Sequence, residues 1–493
     1  LNPSPHLVVV GGGLSGLTTA FYVHRAMPAA RLTLLEAEPQ VGGVIQTEQA
    51  DGYLVEHGAD MFSTQPAEAL QLCRDLGVAD QLIEPLPEGR GAMVVRDGRC
   101  HPVPEGFVLM RPTRLGAMLR TPLLSWRGKA RLFAEPLIRP RRSDADESLA
   151  AFVRRRLGKE TFDRVVQPLV GGIYTADSDR LSMQATMPQF VEMERQHGSL
   201  LRATWARKRQ GHDSRERSSS GARYSQFRGF PGGMRSLFAA IAANLPEPTI
   251  QTDAAVEQME RLPPAEPTAS RWRLHLRGAE APIEADGVVL ALPAHRMGGL
   301  LQTTAPRVSE LAAQIPYASS AIVVLGVRDE DIERPLQTFG IVIPEIEGRK
   351  ILACSFASHK FAGRTPPGRT LLRAFVGGAL HPEWLAESDE QLIAWVRSDL
   401  KDLIGLRGEP ELTRVVRWNN AMPQYHLGHR QIADQIEHEV AALPGLEIAG
   451  NALHGVGIAP VVRTARRAAE RLVRPWSSDP APLQRDKSTA TSS

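Results

Sequence analysis

The chain has 493 residues, 42% of them hydrophobic and 23% charged, with a formal net charge of +3. That length exceeds one simple core and points to about two or three domains. The apolar content excludes disorder as a whole, and the near-balance of charge excludes a uniformly basic nucleic-acid binder. Cys73, Cys100 and Cys354 are far apart and offer neither a CxxC zinc motif nor a disulfide framework, which points to a reducing compartment. The uncharged stretches 7–23 and 311–327 are interrupted by glycines and by Pro316, so neither reads as a membrane span. With a strand expected from about residue 6, no leader is expected ahead of it, and the location expected is cytoplasmic.

Residues 7–10 form a short β-branched run suited to a buried parallel strand. Gly11-Gly12-Gly13-Leu14-Ser15-Gly16 follows at once and fits GxGxxG, a helix is predicted over 14–27, and a second strand over 31–35 ends at Glu36. Gly11 permits the tight turn, Gly13 lets backbone approach a pyrophosphate, and Gly16 lets helix and strand close-pack. The helix N-terminus then attracts the phosphates, and Glu36 can accept hydrogen bonds from a ribose diol. A glycine-rich turn in an empty βαβ unit is the plain alternative.

Further along stand Gly42-Gly43-Val44 and Glu56-His57-Gly58-Ala59-Asp60. The run from Glu36 through Gly42-Gly43 to Glu56-His57-Gly58 resembles the FAD-dependent amine oxidase superfamily. Later segments narrow the resemblance: Gly171-Gly172-Ile173-Tyr174-Thr175-Ala176-Asp177, Phe230-Pro231-Gly232-Gly233-Met234, Trp418-Asn419-Asn420-Ala421-Met422-Pro423, and Gly450-Asn451-Ala452-Leu453-His454-Gly455-Val456-Gly457. Together they are similar to the protoporphyrinogen oxidases, over residues from about 6 to about 475.

The resemblance implies an α/β protein of three parts. A discontinuous, Rossmann-like FAD-binding domain would comprise residues 1–90, 226–300 and 411–476. An antiparallel-sheet substrate domain would span 301–410, with strands near 318–327, 339–343, 351–356 and 370–377. From the residues themselves, a helical domain, expected to associate with a membrane, spans 91–225, with 209–225 a polar loop and 477–493 a disordered tail.

It implies one non-covalent FAD. The cofactor-binding residues expected at its phosphate and adenosine end are Gly11, Gly12, Gly13, Leu14, Ser15, Gly16, Glu36, Ala37, Gly43, Val44 and Val256. Those expected along the flavin are Gly58, Ala59, Asp60, Met61, Trp418, Asn451, Val456, Gly457 and Ile458. Amides at the start of the helix predicted over 461–473 would stabilise the anionic reduced ring. Cys354 reads as core and not as a covalent flavin link.

The implied activity is oxygen-dependent oxidation of protoporphyrinogen IX by three hydride transfers, with coproporphyrinogen III oxidation or another amine- or polyene-oxidising activity as alternatives. A non-catalytic flavin scaffold is a third class. The cofactor carries this chemistry, so no triad or metal set is needed. His426 and His429, spaced i, i+3, read as hydrogen-bonding residues in preference to a ligand pair. Gly172 is the residue expected to turn its carbonyl to the macrocycle, with Phe339, Val342 and Phe375 as ring contacts. Relatives carry an arginine near position 92 for a propionate; here Ala92 stands there, and Arg90 is the nearest replacement. Substrate, oxygen and an anionic membrane surface are the partners expected; nucleic acid is not, and a homodimer is left open.

The membrane expectation comes from residues 90–142, with 12 Lys/Arg against 3 acids. These are interleaved with Phe107, Leu109, Met110, Leu115, Met118, Leu119, Leu123, Leu124, Trp126, Leu132 and Phe133, a pattern suited to a patch lying on the inner face of the cytoplasmic membrane. A helical domain that buries these residues in its own core is the competing reading.

Overall fold

A computed structural model describes residues 4–209, 226–263 and 271–476. The tail predicted over 477–493, and nearly all of the loop predicted over 209–225, lie outside the described residues.

Five short strands, rich in Val and Leu, form a parallel sheet in the order Ile250–Gln251, Arg31–Leu35, His6–Val10, Gly287–Leu290, Leu446–Ile448. Leu7, Val8, Val9, Val288 and Val289 are fully buried, as strands covered on both faces require. Leu14–Ala26 and Ile458–Val473 pack against each other on one face. Ala294–Leu301, Pro306–Ala313 and His429–Ala441 cover the other. The strands come from three separate stretches of chain, yet their carboxyl ends deliver Gly11, Glu36, Ala291 and the Gly450 loop to one edge. Open parallel sheets bind ligands at that edge.

A second, seven-stranded sheet runs Leu412–Pro423, Tyr317–Arg328, Arg369–Gly377, Ile351–Phe356, Gly340–Val342, Met93–Arg96, Arg99–Pro102. It is antiparallel except where Gly340–Val342 meets Met93–Arg96. The helix Asp389–Ile404 covers one face through Leu392, Val396, Leu400 and Leu403. The opposite face packs Ile322, Val324 and Leu371 on Tyr53 and Val55 of a separate hairpin, Thr47–Ala50 with Tyr53–Glu56.

Two expectations change here. Residues 93–102, read as part of a helical stretch, form a hairpin that extends this sheet, and Leu412–Pro423 pairs with Tyr317–Arg328 in place of joining the nucleotide-binding part. Within the helical part, a π-helical turn, Phe162–Val166, precedes the helix Gln167–Tyr174. Pro168 has no N–H for the regular ladder, which accounts for that turn.

The remaining helices form a unit with its own core, and this corrects the membrane patch. Phe107, Met110, Met118, Leu123, Leu124 and Leu132 are all buried inside that core. Arg111 and Lys129 are buried too. Leu115–Arg120 and Trp126–Phe133 are short helices whose apolar sides turn inward, so composition alone could not distinguish a core from a membrane face. Only Leu119 (47% exposed), Trp126 (76%) and Leu137 (80%) of this region remain as large outward apolar groups among the described residues. The unit is fastened by Glu135, fully buried against Arg156, which also accepts the N–H groups of Leu200 at 2.9 Å and Leu201 at 3.2 Å. No helix among the described residues is long and apolar enough to cross a membrane.

Candidate active site

The glycine segment after the first strand makes a tight turn, in which Gly11 (φ +105°) donates its N–H to the Leu35 carbonyl at 2.7 Å. A Cβ on Gly16 would lie 1.8 Å from the Gly11 carbonyl oxygen, so helix and turn touch backbone to backbone. Gly13 differs: its Cβ would meet nothing nearer than Gly43 at 4.0 Å. Gly42 donates to the Gly12 carbonyl at 2.9 Å, which brings the second glycine pair against the first. The helix Leu14–Ala26 starts at Gly13 without a side-chain cap, and the Ser15 hydroxyl is buried without a partner. First-turn amides have no intrahelical acceptor, so this cleft is built for an anion. These features fit a dinucleotide's phosphates.

Glu36 closes one side. Its carboxylate accepts the N–H groups of Gly12 and Glu38, and its carbonyl accepts that of Ala254 at 2.8 Å. The last bond draws the start of Val256–Arg261 beside Glu36 and Ala37, where an adenosine would rest.

On the other side Gly457 precedes the helix Ile458–Val473, again without a side-chain cap. The loop before that helix is tied by Tyr425, which the sequence did not single out, and by His429, in the hydrogen-bonding role expected of it. The Tyr425 hydroxyl donates to the Asn451 carbonyl, and His429 Nε2 lies 3.0 Å from the Leu453 carbonyl. The two rings stack at 4.0 Å. Val456 packs on the core of the helical unit. Burial pushes the His429 pKa from 6.5 down to about 4. The folded protein keeps this ring neutral while the unfolded chain protonates it near 6.5, so the unfolded state binds more protons between these values. Its stabilising contribution is therefore full above pH 6.5 and is lost as pH falls towards 4. At 1.36 kcal/mol per unit this is on the order of 3 kcal/mol. Melting temperatures from pH 7 to 4.5 should fall, and His429→Phe, which keeps the stack, should flatten that slope.

Residues 56–61 leave the hairpin strand Tyr53–Glu56 and run against the seven-stranded sheet, where Arg373 and Trp418 donate to the Gly58 and His57 carbonyls. Glu56 is buried and accepts from the Thr47 hydroxyl and the Met234 N–H, both at 2.7 Å, so the Phe230–Met234 segment is anchored on it. The Trp418 indole donates to the His57 carbonyl at 2.7 Å and lies over this run. Asp60 turns its side chain away, into an ion pair with Lys360 at 2.9 Å and Arg373 at 3.1 Å.

The residues expected to hold substrate divide. Gly172 is exposed near the end of Gln167–Tyr174, and a Cβ there would stand 3.8 Å from Val342 Cγ1. Helix end and sheet face thus approach closely at these two residues. Phe375 lies half-buried on that same sheet, 5.8 Å from the Arg373 guanidinium. Phe339 is a correction: at 1% exposure its ring is enclosed, because it precedes the strand and hangs from the Gly91 carbonyl. Arg90 is another. Its guanidinium is turned to the Pro85 and Leu86 carbonyls and to Glu84, and so does not stand ready for a carboxylate.

Residues 14–473 match the family of flavin containing amine oxidoreductases. The chain is 33% identical to the coproporphyrinogen III oxidase of Bacillus subtilis (strain 168), over 94% of this chain and 97% of the relative. It is 30% identical to protoporphyrinogen oxidase 1, chloroplastic, of Arabidopsis thaliana, over 94% and 87%. Among solved structures, a putative protoporphyrinogen oxidase from Exiguobacterium sp. 255-15 aligns with a TM-score of 0.81 at 29% identity, covering 95% of this chain and 98% of that one. The cradle, the second uncapped helix and these matches agree: the chain belongs to the flavin-containing amine oxidoreductases and is an FAD-dependent oxidoreductase with their mixed α/β fold.

Proposed function

We propose that the protein oxidises a porphyrinogen to its porphyrin in haem synthesis, protoporphyrinogen IX to protoporphyrin IX or coproporphyrinogen III to coproporphyrin III, with oxygen as final acceptor. The observation that carries this reading is an apolar row on one face of the sheet, Val342, Ala353 and Phe375 in cross-strand register, with the exposed Gly172 beside its Val342 end, a surface on which a flat macrocycle can lie. The relatives named above support it. FAD, when bound, accepts the hydrides and passes the electrons on.

In this reading a discontinuous Rossmann-like domain seats the phosphates at Gly11–Gly16 and Gly42–Gly43, and the adenosine by Glu36, Ala37 and Val256. Gly58–Met61 and Trp418 would hold the ring system, and residues 451–458 its pyrimidine end. Gly172 turns its carbonyl to the macrocycle's N–H groups, which fixes the methylene carbons in line with the flavin. Val342 and Phe375 form the apolar wall and exclude water. Oxygen-dependent growth of porphyrin fluorescence with release of hydrogen peroxide is the expected assay result. Turnover of simple amines with porphyrinogens untouched would sink the proposal.

One observation favours coproporphyrinogen as the substrate. It carries four carboxylate arms and protoporphyrinogen two. His101 pairs across the ladder with Val94, which pairs with Val342, and Arg99 stands two residues before His101 on the same strand, so two basic residues share the Val342 side of the sheet edge, while Arg96 is engaged by the Pro122 carbonyl and Asp97. We expect kcat/KM for coproporphyrinogen to exceed that for protoporphyrinogen by about tenfold, ~1.4 kcal/mol. Arg99→Ala/His101→Ala should erase the difference. Equal losses on both substrates would remove these two residues from recognition.

Peripheral membrane attachment is the remaining part of the proposal, now confined to the exposed Leu119, Trp126 and Leu137 with Arg120, Arg127 and Arg139 beside them. Anionic lipid would add about 1 kcal/mol for each basic side chain at the surface. Flotation with anionic liposomes should fall in a Trp126→Ser/Leu137→Ser variant, which leaves the core intact. Equal flotation of variant and wild type would discard the patch.

A further inference from the structure

A buried cluster of charge lies behind residues 56–60. Lys360 and Arg373 both pair with Asp60, and Arg373 also donates to the Gly58 carbonyl. Arg364 is buried beside them and donates to the Phe230 and Pro231 carbonyls at 2.8 and 3.0 Å. Burial favours the neutral form of Asp60, but Lys360 and Arg373 outweigh it and hold its pKa to about 2. Glu56 is the other acid here, and burial raises its pKa. Three buried cations thus face two acids, one of them shifted towards neutrality. An excess of positive charge away from water is costly unless an anion arrives to meet it. Two polar atoms on this side of the sheet also have no partner within the chain: Arg373 Nε and the Ser355 hydroxyl, on residues in direct cross-strand register.

We infer that Lys360 and Arg373, balanced by Asp60, form a positioning cluster that stabilises the negative charge gained by the flavin on reduction and so raises its reduction potential. This rests on the seat proposed above for the ring system along Gly58–Met61. A hydride adds one negative charge to the bound ring, and a fixed positive field in a poorly solvated site favours that state. The same residues clamp the 58–60 turn to the substrate sheet, so field and geometry are set together. None of them needs to touch a reacting atom.

The test is the two-electron midpoint potential of the FAD-loaded protein, read by equilibration with a redox dye. Lys360→Met should lower the ratio of reduced to oxidised flavin at fixed poise about tenfold, equivalent to about 30 mV for a two-electron couple. Lys360→Arg should restore the wild-type value. Asp60→Asn, which removes the acid and leaves both cations, should shift the potential the opposite way. General loosening of the site would move Lys360→Met and Asp60→Asn in the same direction, and that result would overturn the inference. So would a wild-type potential in Lys360→Met, or loss of FAD from Lys360→Met, which would make the cluster part of the nucleotide seat. Failure of that seat is read separately, as an unshifted flavin absorption band in FAD-loaded Trp418→Leu, a spectrum and not a potential.

Discussion

Gly13→Val is expected to yield a folded protein that carries no flavin. Gly13 has φ −74° and ψ −176°, an extended backbone that valine adopts readily. Its Cβ would enter open space, with Gly43 no nearer than 4.0 Å, so the substitution clashes with nothing in the chain. Replacing glycine at a helix N-cap costs about 1 kcal/mol, a small fraction of a domain's stability. The new side chain would nevertheless stand where the phosphates approach, and affinity for FAD should fall about a hundredfold or more, ~3 kcal/mol. Gly16→Val provides the contrast. Its side chain would be driven into the Gly11 carbonyl, so it should lose the fold along with the flavin. Circular dichroism together with absorbance at the flavin band separates the two cases. A yellow, fully loaded Gly13→Val protein would place the nucleotide elsewhere.

Gly172→Leu should do the reverse, keeping FAD and losing turnover. Gly172 is exposed within a helix, where leucine is favoured over glycine by about 0.5–1 kcal/mol, so stability should hold or rise. The leucine side chain would start 3.8 Å from Val342 Cγ1 and cover that end of the apolar row. Misplacing a bound substrate by about 1 Å can cost a hundredfold in rate, and exclusion from this surface should cost at least that. Gly172→Ala, which makes only an ordinary contact with Val342, should retain most activity. Steady-state rates with flavin content measured on the same samples give the answer. Normal turnover by the leucine variant would show that substrate binds elsewhere.

The nucleotide end was legible because its signals are local. The strand at Arg31–Leu35 and the helix from Leu14 appear where alternating composition and GxGxxG place them. The hairpin at 93–102 was legible too and was overlooked: Asp97-Gly98, both at positive φ, is a turn signal between two short strands. The inward turn of Leu123, Leu124 and Leu132 was not legible, since amphipathic pattern reports a buried face without saying what buries it. The links that hold the candidate site together were hidden for a different reason. Asp60 and Lys360 are separated by 300 positions, and Trp418 reaches His57 across 361. No local pattern encodes such partners; only the docking of residues 56–61 against the seven-stranded sheet brings them together. Phe339 failed as a ring contact because a motif position fixes a residue's place in the chain but not the side to which it turns.

Anaerobic titration of the oxidised flavoprotein with porphyrinogen tests the central claim most directly. Substrate in slight excess should bleach the flavin band completely without oxygen. With enzyme in excess, each porphyrin formed should account for three reduced flavins, and admitting oxygen should restore the yellow colour with release of hydrogen peroxide. A flavin that stays oxidised with either porphyrinogen, yet bleaches with a simple amine, would contradict the account.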